Sequence, residues 1–263
     1  MIPKVLTVAG SDSSGGAGVQ ADLKTFSAHG CYGMSVFSAL TAQNTLGVQA
    51  VHAVPTDFFV QQLKSVFDDV PPDAVKTGML PNAISVMSLA VLLKEKKAKN
   101  IVVDPVMVST SGDRLVNKNA INALKTNLIP MADLITPNGP EAEILLGYQI
   151  VDPIKAIENL LELGCKGVLL KGGHGDSPDC VDFYGHAGGI DIFEAPRHPT
   201  ENTHGTGCTL SSAIAANLAK GLAMREAIGE AKSYITEAIK HADKLEVGEG
   251  AGPVHHFWNT WET

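Results

Sequence analysis

The sequence is short of aromatic and of basic residues. Phe, Trp and Tyr make up 5% of its 263 positions, and 20 Lys and Arg face 28 Asp and Glu, a formal net charge of −8. That deficit argues against a nucleic-acid partner, which would call for a basic stripe. The tightest basic cluster, Lys94, Lys96, Lys97 and Lys99, reads as a solvated helix end favoured by the helix dipole. Any anionic ligand must then be held by a local site working against the overall field. Cysteine is scarce as well. Cys31, Cys165, Cys180 and Cys208 show no CxxC spacing, and with no signal peptide they read as free thiols in a reducing cytosol. The longest apolar stretch, around Ile84 to Leu93, is too short to span a bilayer. No tract is compositionally biased, which excludes disorder, collagen and coiled coil. The expectation is a soluble cytoplasmic protein with no nucleic-acid and no membrane partner.

What is present suffices for a large core: 44% of the residues are hydrophobic, in a chain near the ~250–300-residue limit of a single domain. Short β-rich runs alternate with helical patterns. Val5–Ala9, Gly33–Thr41, Ala74–Thr77, Ile101–Val103, Leu134–Thr136 and Gly167–Leu170 read as strands, with a further extended segment between Val48 and Val54. Helical spacing lies between them, ending near Gly30, starting about Asp57, and covering about Asn82–Lys96, Lys118–Lys125, Pro140–Leu146 and Ile154–Leu163. Two more helices are expected over Gly207–Leu222 and Arg225–Ala242, and Val181–Phe193, split by Gly185, Gly188 and Gly189, reads as an antiparallel hairpin. The alternation predicts βαβ units and a mostly parallel sheet with helices on both faces, in one domain over residues 1–263. In such sheets ligands bind beyond the carboxyl ends of the strands.

Four groups of residues there can carry chemistry. His204-Gly205-Thr206-Gly207-Cys208-Thr209 opens a helix of small residues; its glycines admit a ligand close to the backbone, and its first-turn amides suit a phosphate. Cys208 stands in that first turn, where a thiolate is stabilised, although a buried structural cysteine at a glycine-rich helix entry has the same sequence. Gly10-Ser11-Asp12-Ser13-Ser14-Gly15-Gly16-Ala17-Gly18 follows the first strand but fits neither a dinucleotide fingerprint nor a Walker A loop. It lines a small polar ligand or is an ordinary turn. Asp104 before Pro105, and Asn138 with Glu141, offer hard oxygen atoms of the kind Mg²⁺ takes, or else a turn cap and a helix start. Lys171, followed by Gly172-Gly173-His174, reaches a phosphate or is merely solvated.

Taken in order, Val8 through Phe26, Thr41-Ala42-Gln43-Asn44-Thr45, Asp104-Pro105-Val106-Met107, Thr136-Pro137-Asn138 with Glu141, Asn202–Thr209 and Gly252–Phe257 closely resemble the hydroxymethylpyrimidine and phosphomethylpyrimidine kinases of thiamine biosynthesis, over nearly the whole chain. The resemblance implies a ribokinase-like three-layer α/β/α sandwich with a central mostly parallel sheet and a small β-hairpin or flap addition, working as a homodimer with ATP and Mg²⁺. It places Cys208 where related kinases carry an aspartate base, with Gly205, Thr206 and Gly207 as the anion hole. It assigns Asn138 and Lys171 with Lys232 to the nucleotide, Glu141 with Asp104 to the metal, and Gln43, Gly10, Asp22, Met79 and Val106 to the pyrimidine. A glutamine amide donates and accepts at once, which suits an aminopyrimidine edge. Gly139 and Ser109 depart from the expected pattern. Three rivals stand beside this reading. A pyridoxal-type vitamin kinase shares the Gly-Thr-Gly-Cys ending but has less use for Gln43. A phosphate-ligand-binding module leaves Cys208, Glu141 and Asp104 without purpose, and a thiol redox protein lacks a resolving cysteine nearby.

Overall fold

Side chains alternate across the strands, and the alternation divides the core in two. The computed structural model describes residues 1–107, 116–172 and 179–261; Ser109, Gly173 and His174 of the motifs above lie outside them. Among the described residues one sheet runs in the order β3-β2-β1-β4-β5-β6-β7-β8-β9. Its members are β1 (Lys4–Gly10), β2 (Tyr32–Asn44), β3 (Gly47–Ala53), β4 (Ala74–Thr77), β5 (Ile101–Val103), β6 (Leu134–Ile135), β7 (Gly167–Leu170), β8 (Asp179–His186) and β9 (Gly189–Pro196). From β2 to β7 the strands are parallel, while β3 and the β8–β9 hairpin add antiparallel edges.

Leu6, Val8, Val75, Val103, Ile135, Val168 and Leu170 point to one face; Val5, Ala74, Val102, Leu134 and Leu169 point to the other, as period-two geometry requires. The first face is covered by α2 (Thr56–Asp69), α3 (Ala83–Glu95), α4 (Lys118–Ala123), α5 (Gly139–Leu146) and α6 (Pro153–Leu161). The second is covered by α1 (Gly18–Ala28), α7 (Thr206–Ala219) and α8 (Met224–Lys240). Helix α7 is buried almost all round. Its Ser211, Ser212, Ala213, Ala215 and Ala216 are small enough to bring the helix axis close to the sheet, and that sets where its N-terminus lies.

The result is the three-layer α/β/α sandwich expected from the sequence, with the strands and helices displaced by a few residues at most. Two details differ. The helix read over Lys118–Lys125 ends at Ala123 and continues as a wider turn over Leu124–Leu128. Gly185 does not interrupt its strand: β8 runs on to His186, and Ala187-Gly188 turn the chain into β9. Gly185 is there for packing, because a Cβ at that position would lie 2.0 Å from Cγ2 of Ile157 on α6. No disulfide joins the described cysteines, and no described helix is long and apolar enough to cross a membrane.

Candidate active site

At the carboxyl ends of the parallel strands lies a cavity of about 860 Å³, where a doubly wound sheet is expected to hold ligands. Gly10, Gln43, Met79, Asp104, Val106, Asn138, Glu141, Lys171, Lys232 and Gly205–Cys208 all line it. Of the residues to which the resemblance gives a role, Asp22 is the one outside this lining.

The floor is built by α7. Gly205 caps the helix in a left-handed conformation (φ +80°), and no side chain caps it, so the first-turn amides of Gly207 and Cys208 open onto the cavity. The approach is close: a Cβ on Gly205 would lie 1.9 Å from the Gly16 carbonyl oxygen. Two loops distant in sequence therefore touch backbone to backbone, and Asp12 fastens them. Its Oδ2 accepts from Gly16 N (3.1 Å), Ala17 N (2.8 Å) and His204 Nε2 (2.8 Å), and its Oδ1 from Ser14 N and Oγ (2.9 and 2.7 Å). Burial alone would raise the Asp12 carboxyl, but the bonds from His204, Ser14 and Ala17 bring it down to about 2.

Asp104 and Lys171 stand side by side beyond β5 and β7. Lys171 Nζ donates to Asp104 Oδ1 (3.1 Å), as does Thr136 Oγ1 (3.0 Å), and Ser211 Oγ of α7 donates to Oδ2 (3.3 Å). Burial opposes ionisation of Asp104, yet the Lys171 and Lys76 ammonium groups hold its carboxyl below the usual range. Lys171 is likewise held above its ordinary value, against burial, by the Asp104 and Glu141 carboxylates. Asn138 and Glu141 form a capping box at the start of α5: Asn138 Oδ1 accepts from Glu141 N (2.9 Å) and Glu141 Oε2 from Asn138 N (3.0 Å). Burial pushes the Glu141 carboxyl up to about 7, and the Asp104 charge adds to the rise against the pull of Lys171. The cap and the cavity-facing carboxylate are thus the same group, so the two sequence readings of Glu141 are not exclusive. Lys232 donates from Nζ to Asp182 Oδ2 (2.6 Å) and to the Cys180 carbonyl (3.0 Å).

Gln43 lies at the far side, where β2 and β3 slip register between Ala42 and Gln43. Such a bulge re-aims a side chain. The backbone of Gln43 is fixed by Ser13, whose Oγ donates to Gln43 O (2.8 Å) and accepts from Gln43 N (2.9 Å). Its side-chain amide takes no described partner and stays available.

The Cys208 expectation needs correction. The thiol was expected below its free value because of the helix start, yet burial pushes it up to about 11, with Asp22 and Asp104 adding to the rise and Lys76 and the Gly18 amide opposing it. Desolvation and two carboxylates outweigh the helix dipole, a contribution of ~0.3–1 kcal/mol in exposed settings. Asp22 lies beneath the cavity wall, where it takes hydrogen bonds from Thr7 Oγ1 (2.6 Å), Lys76 Nζ (2.8 and 2.9 Å) and Ser212 Oγ (2.7 Å). Sequence reasoning missed Lys76 and the Asp12–His204 clasp. A lysine inside a four-residue strand that is buried throughout was the available signal for the first; nothing in a single sequence pairs residues 192 positions apart.

The family model described as phosphomethylpyrimidine kinase matches residues 12–255. A hydroxymethylpyrimidine/phosphomethylpyrimidine kinase from Salmonella typhimurium is 48% identical over 260 residues, covering 97% of this chain and 98% of its own. A thiamine biosynthesis bifunctional protein from Geobacter sulfurreducens is 52% identical over 256 residues, covering 96% of this chain and 52% of its own, so the chain spans about half of that relative. Among solved structures, an ADP complex of Bacillus subtilis pyridoxal kinase superposes with a TM-score of 0.90 at 38% identity, covering 97% of this chain and 98% of that one.

Proposed function

The chain belongs to the phosphomethylpyrimidine kinase family, and from that premise we propose that its cavity phosphorylates 4-amino-5-hydroxymethyl-2-methylpyrimidine with ATP and then converts the monophosphate to the diphosphate. The observation that carries the reading is the cavity floor, where Cys208 and the open first-turn amides of α7 meet Lys171, Asp104 and Glu141. Residues 1–263 act as one kinase domain, in the cytoplasm and as a homodimer, the last of which light scattering reads directly.

Roles follow from placement. The Gln43 amide pairs with the aminopyrimidine edge, with Gly10, Met79 and Val106 as the remaining wall. The Gly205–Cys208 amides receive the transferred phosphoryl oxygens, and Lys171 and Lys232 with Asn138 serve the donor phosphates. As the substrate oxygen bonds to phosphorus and the bond to the leaving diphosphate breaks, the hydroxyl proton passes to Cys208 in its thiolate form, which burial makes the minor form at neutral pH. Such transition states are loose, so positioning and charge neutralisation do most of the work. Two buried carboxylates, Glu141 raised by burial and further by the Asp104 charge, fit a divalent cation that binds through one or two carboxylates plus phosphates. Glu141 and Asp104 would hold Mg²⁺, which when bound neutralises phosphate charge.

In the second step the acceptor is a phosphate oxygen, already largely ionised at neutral pH. Loss of the base must therefore hurt the alcohol step more than the monophosphate step. Cys208→Ala is expected to lower kcat on the alcohol by ~10²–10⁴-fold and on the monophosphate by much less; near-normal turnover of the alcohol refutes the role. The pyridoxal kinase likeness makes a pyridoxal-type vitamin the alternative acceptor, against which the freely available Gln43 amide speaks.

A further inference from the structure

The segment that follows α8 has been given no role so far, yet it touches elements at both ends of the cavity. Beyond Gly250 it turns inward, and residues 252–256 are buried without a break. Its first contact is the turn between β2 and β3. Gly250 N donates to Thr45 Oγ1 (3.1 Å), and a Cβ on Gly250 would lie 2.2 Å from the Thr45 carbonyl oxygen. Thr45 is two residues beyond Gln43. The next contact is the loop that leads into α7. Gly252 N donates to Asn202 Oδ1 (2.8 Å), Gly252 O accepts from His204 N (3.0 Å) and Val254 N donates to His204 O (3.3 Å). Both backbone groups of the residue before Gly205 are thus engaged. Last, His256 Nε2 shares a hydrogen bond with Thr209 Oγ1 (3.0 Å), at the end of the first turn of α7. The segment is itself tied to α8: His255 N donates to the Ala238 carbonyl (2.9 Å), and Tyr234 Oη to the His256 carbonyl (2.6 Å).

We propose that residues 248–256 form a strap that positions two separate parts of the site, Gln43 through Thr45 and the first-turn amides of α7 through His204 and Thr209. The hairpin needs such support. Strand β3 is mostly exposed, and a two-stranded ribbon is marginal on its own. Ser13 fixes the backbone of Gln43 from one side, and the strap fixes the turn from the other. An amide ordered only when its ligand arrives costs affinity. The α7 end needs support for a different reason. No side chain caps the helix, so the direction of its free amides is set by what holds the flanking residues, and the strap holds both His204 and Thr209. Thr45, Gly250, Thr209 and His256 are positioning residues, none of which lines the cavity. A strap that only closes the fold bears on both ends alike. One that positions must bear on pyrimidine binding at the hairpin and on turnover at the helix.

The inference rests on the proposed roles of Gln43 and of the α7 amides. Gly250→Ala pushes on the Thr45 carbonyl without left-handed strain, since Gly250 has no positive φ, and the exposed hairpin yields before the buried strap. Thr209→Val removes the hydroxyl that meets His256 with little change of shape. Pyrimidine Kd is measured by calorimetry without nucleotide, and kcat with pyrimidine and ATP saturating. Gly250→Ala is expected to weaken pyrimidine binding by about fivefold or more, with kcat within about twofold of wild type. Thr209→Val is expected to lower kcat by about tenfold with Kd within about twofold, and Thr209→Ser, which keeps the hydroxyl, to restore it. Kd and kcat unchanged in both variants, or both changed in both, overturn the proposal, as does a Thr209→Ser enzyme as slow as Thr209→Val. If Gly250→Ala or Thr209→Val does not fold, Thr45→Val or His256→Phe takes its place, since each leaves the same hydrogen bond unmade. Gln43→Leu separates the two failures. Weak binding by Gln43→Leu with normal binding by Gly250→Ala sinks the strap and leaves the reading of Gln43; the reverse sinks that reading and leaves the strap.

Discussion

Gly205→Ala tests the junction on which the site is built. The perturbation adds one methyl group to a residue at φ +80°, where an L side chain costs ~1–2 kcal/mol. The same methyl would stand 1.9 Å from the Gly16 carbonyl oxygen and 2.9 Å from its carbon. Contacts of that type rarely close below ~3.2 Å, so one loop must retreat by more than about 1 Å, and overpacking of this sort costs a further ~1–3 kcal/mol. Because both partners are backbone, no side chain can swing away. The retreat carries the α7 amides with it, and a 1 Å misplacement of a positioning element costs ~10²-fold in rate. Gly221→Ala is the matched control: it too has a positive φ, +93°, but nothing stands within 4 Å of its Cβ. The assay is kcat on the pyrimidine alcohol together with the thermal midpoint of each purified variant. Gly205→Ala is expected to lose ~2–5 kcal/mol and about two orders of magnitude in kcat, and Gly221→Ala to lose ~1–2 kcal/mol with normal kcat. A Gly205→Ala enzyme within twofold of wild-type turnover refutes the reasoning.

Three further outcomes follow from the site. Gln43→Leu strands the polar edge of the ring and is expected to weaken pyrimidine binding by ~1–3 kcal/mol, roughly 5- to 150-fold; affinity unchanged within twofold contradicts the assignment. Glu141→Gln is expected to raise the Mg²⁺ concentration for half-maximal activity while metal-free pyrimidine binding stays intact, which a titration of rate against Mg²⁺ reads. Asp12 has a folded-state pKa of about 2 against 3.8 for the free group, so its stabilisation of ~2 kcal/mol is present above pH ~4 and is lost as pH falls toward 2. Asp12→Asn is expected to cost about that much at pH 7 and progressively less below pH 4 in urea unfolding; a cost independent of pH counts against the clasp.

The order of the layers was legible because each strand carries its own signal: a short β-rich run, then a breaker, then helical spacing. The cavity wall was legible for a related reason. Residues at or just after the ends of β1, β5, β6 and β7 converge at one edge whatever their side chains, and Gly10, Asp104, Asn138 and Lys171 are such residues. What a single sequence hides is any property set by residues that meet only in the fold. The Cys208 titration is one, because a helix N-terminus is visible locally whereas Asp22 and Asp104 come from other elements. The Asp12–His204 clasp is another. Lys76 reads as one polar residue in a strand until its neighbours show that it is buried and paired. Gly185 reads as a strand breaker until Ile157 is found in the space it leaves.

The central claim is that this cavity transfers the terminal phosphoryl group of ATP to a hydroxymethylated aminopyrimidine and then to its monophosphate. The purified protein, given Mg²⁺ and ATP, is offered 4-amino-5-hydroxymethyl-2-methylpyrimidine, its monophosphate and pyridoxal side by side, and ADP release and phosphorylated product are quantified together. The account predicts that the alcohol and the monophosphate are both consumed, ending in the diphosphate, with kcat/KM for each above that for pyridoxal. Preferential phosphorylation of pyridoxal, or ADP release with no phosphorylated pyrimidine, would contradict it.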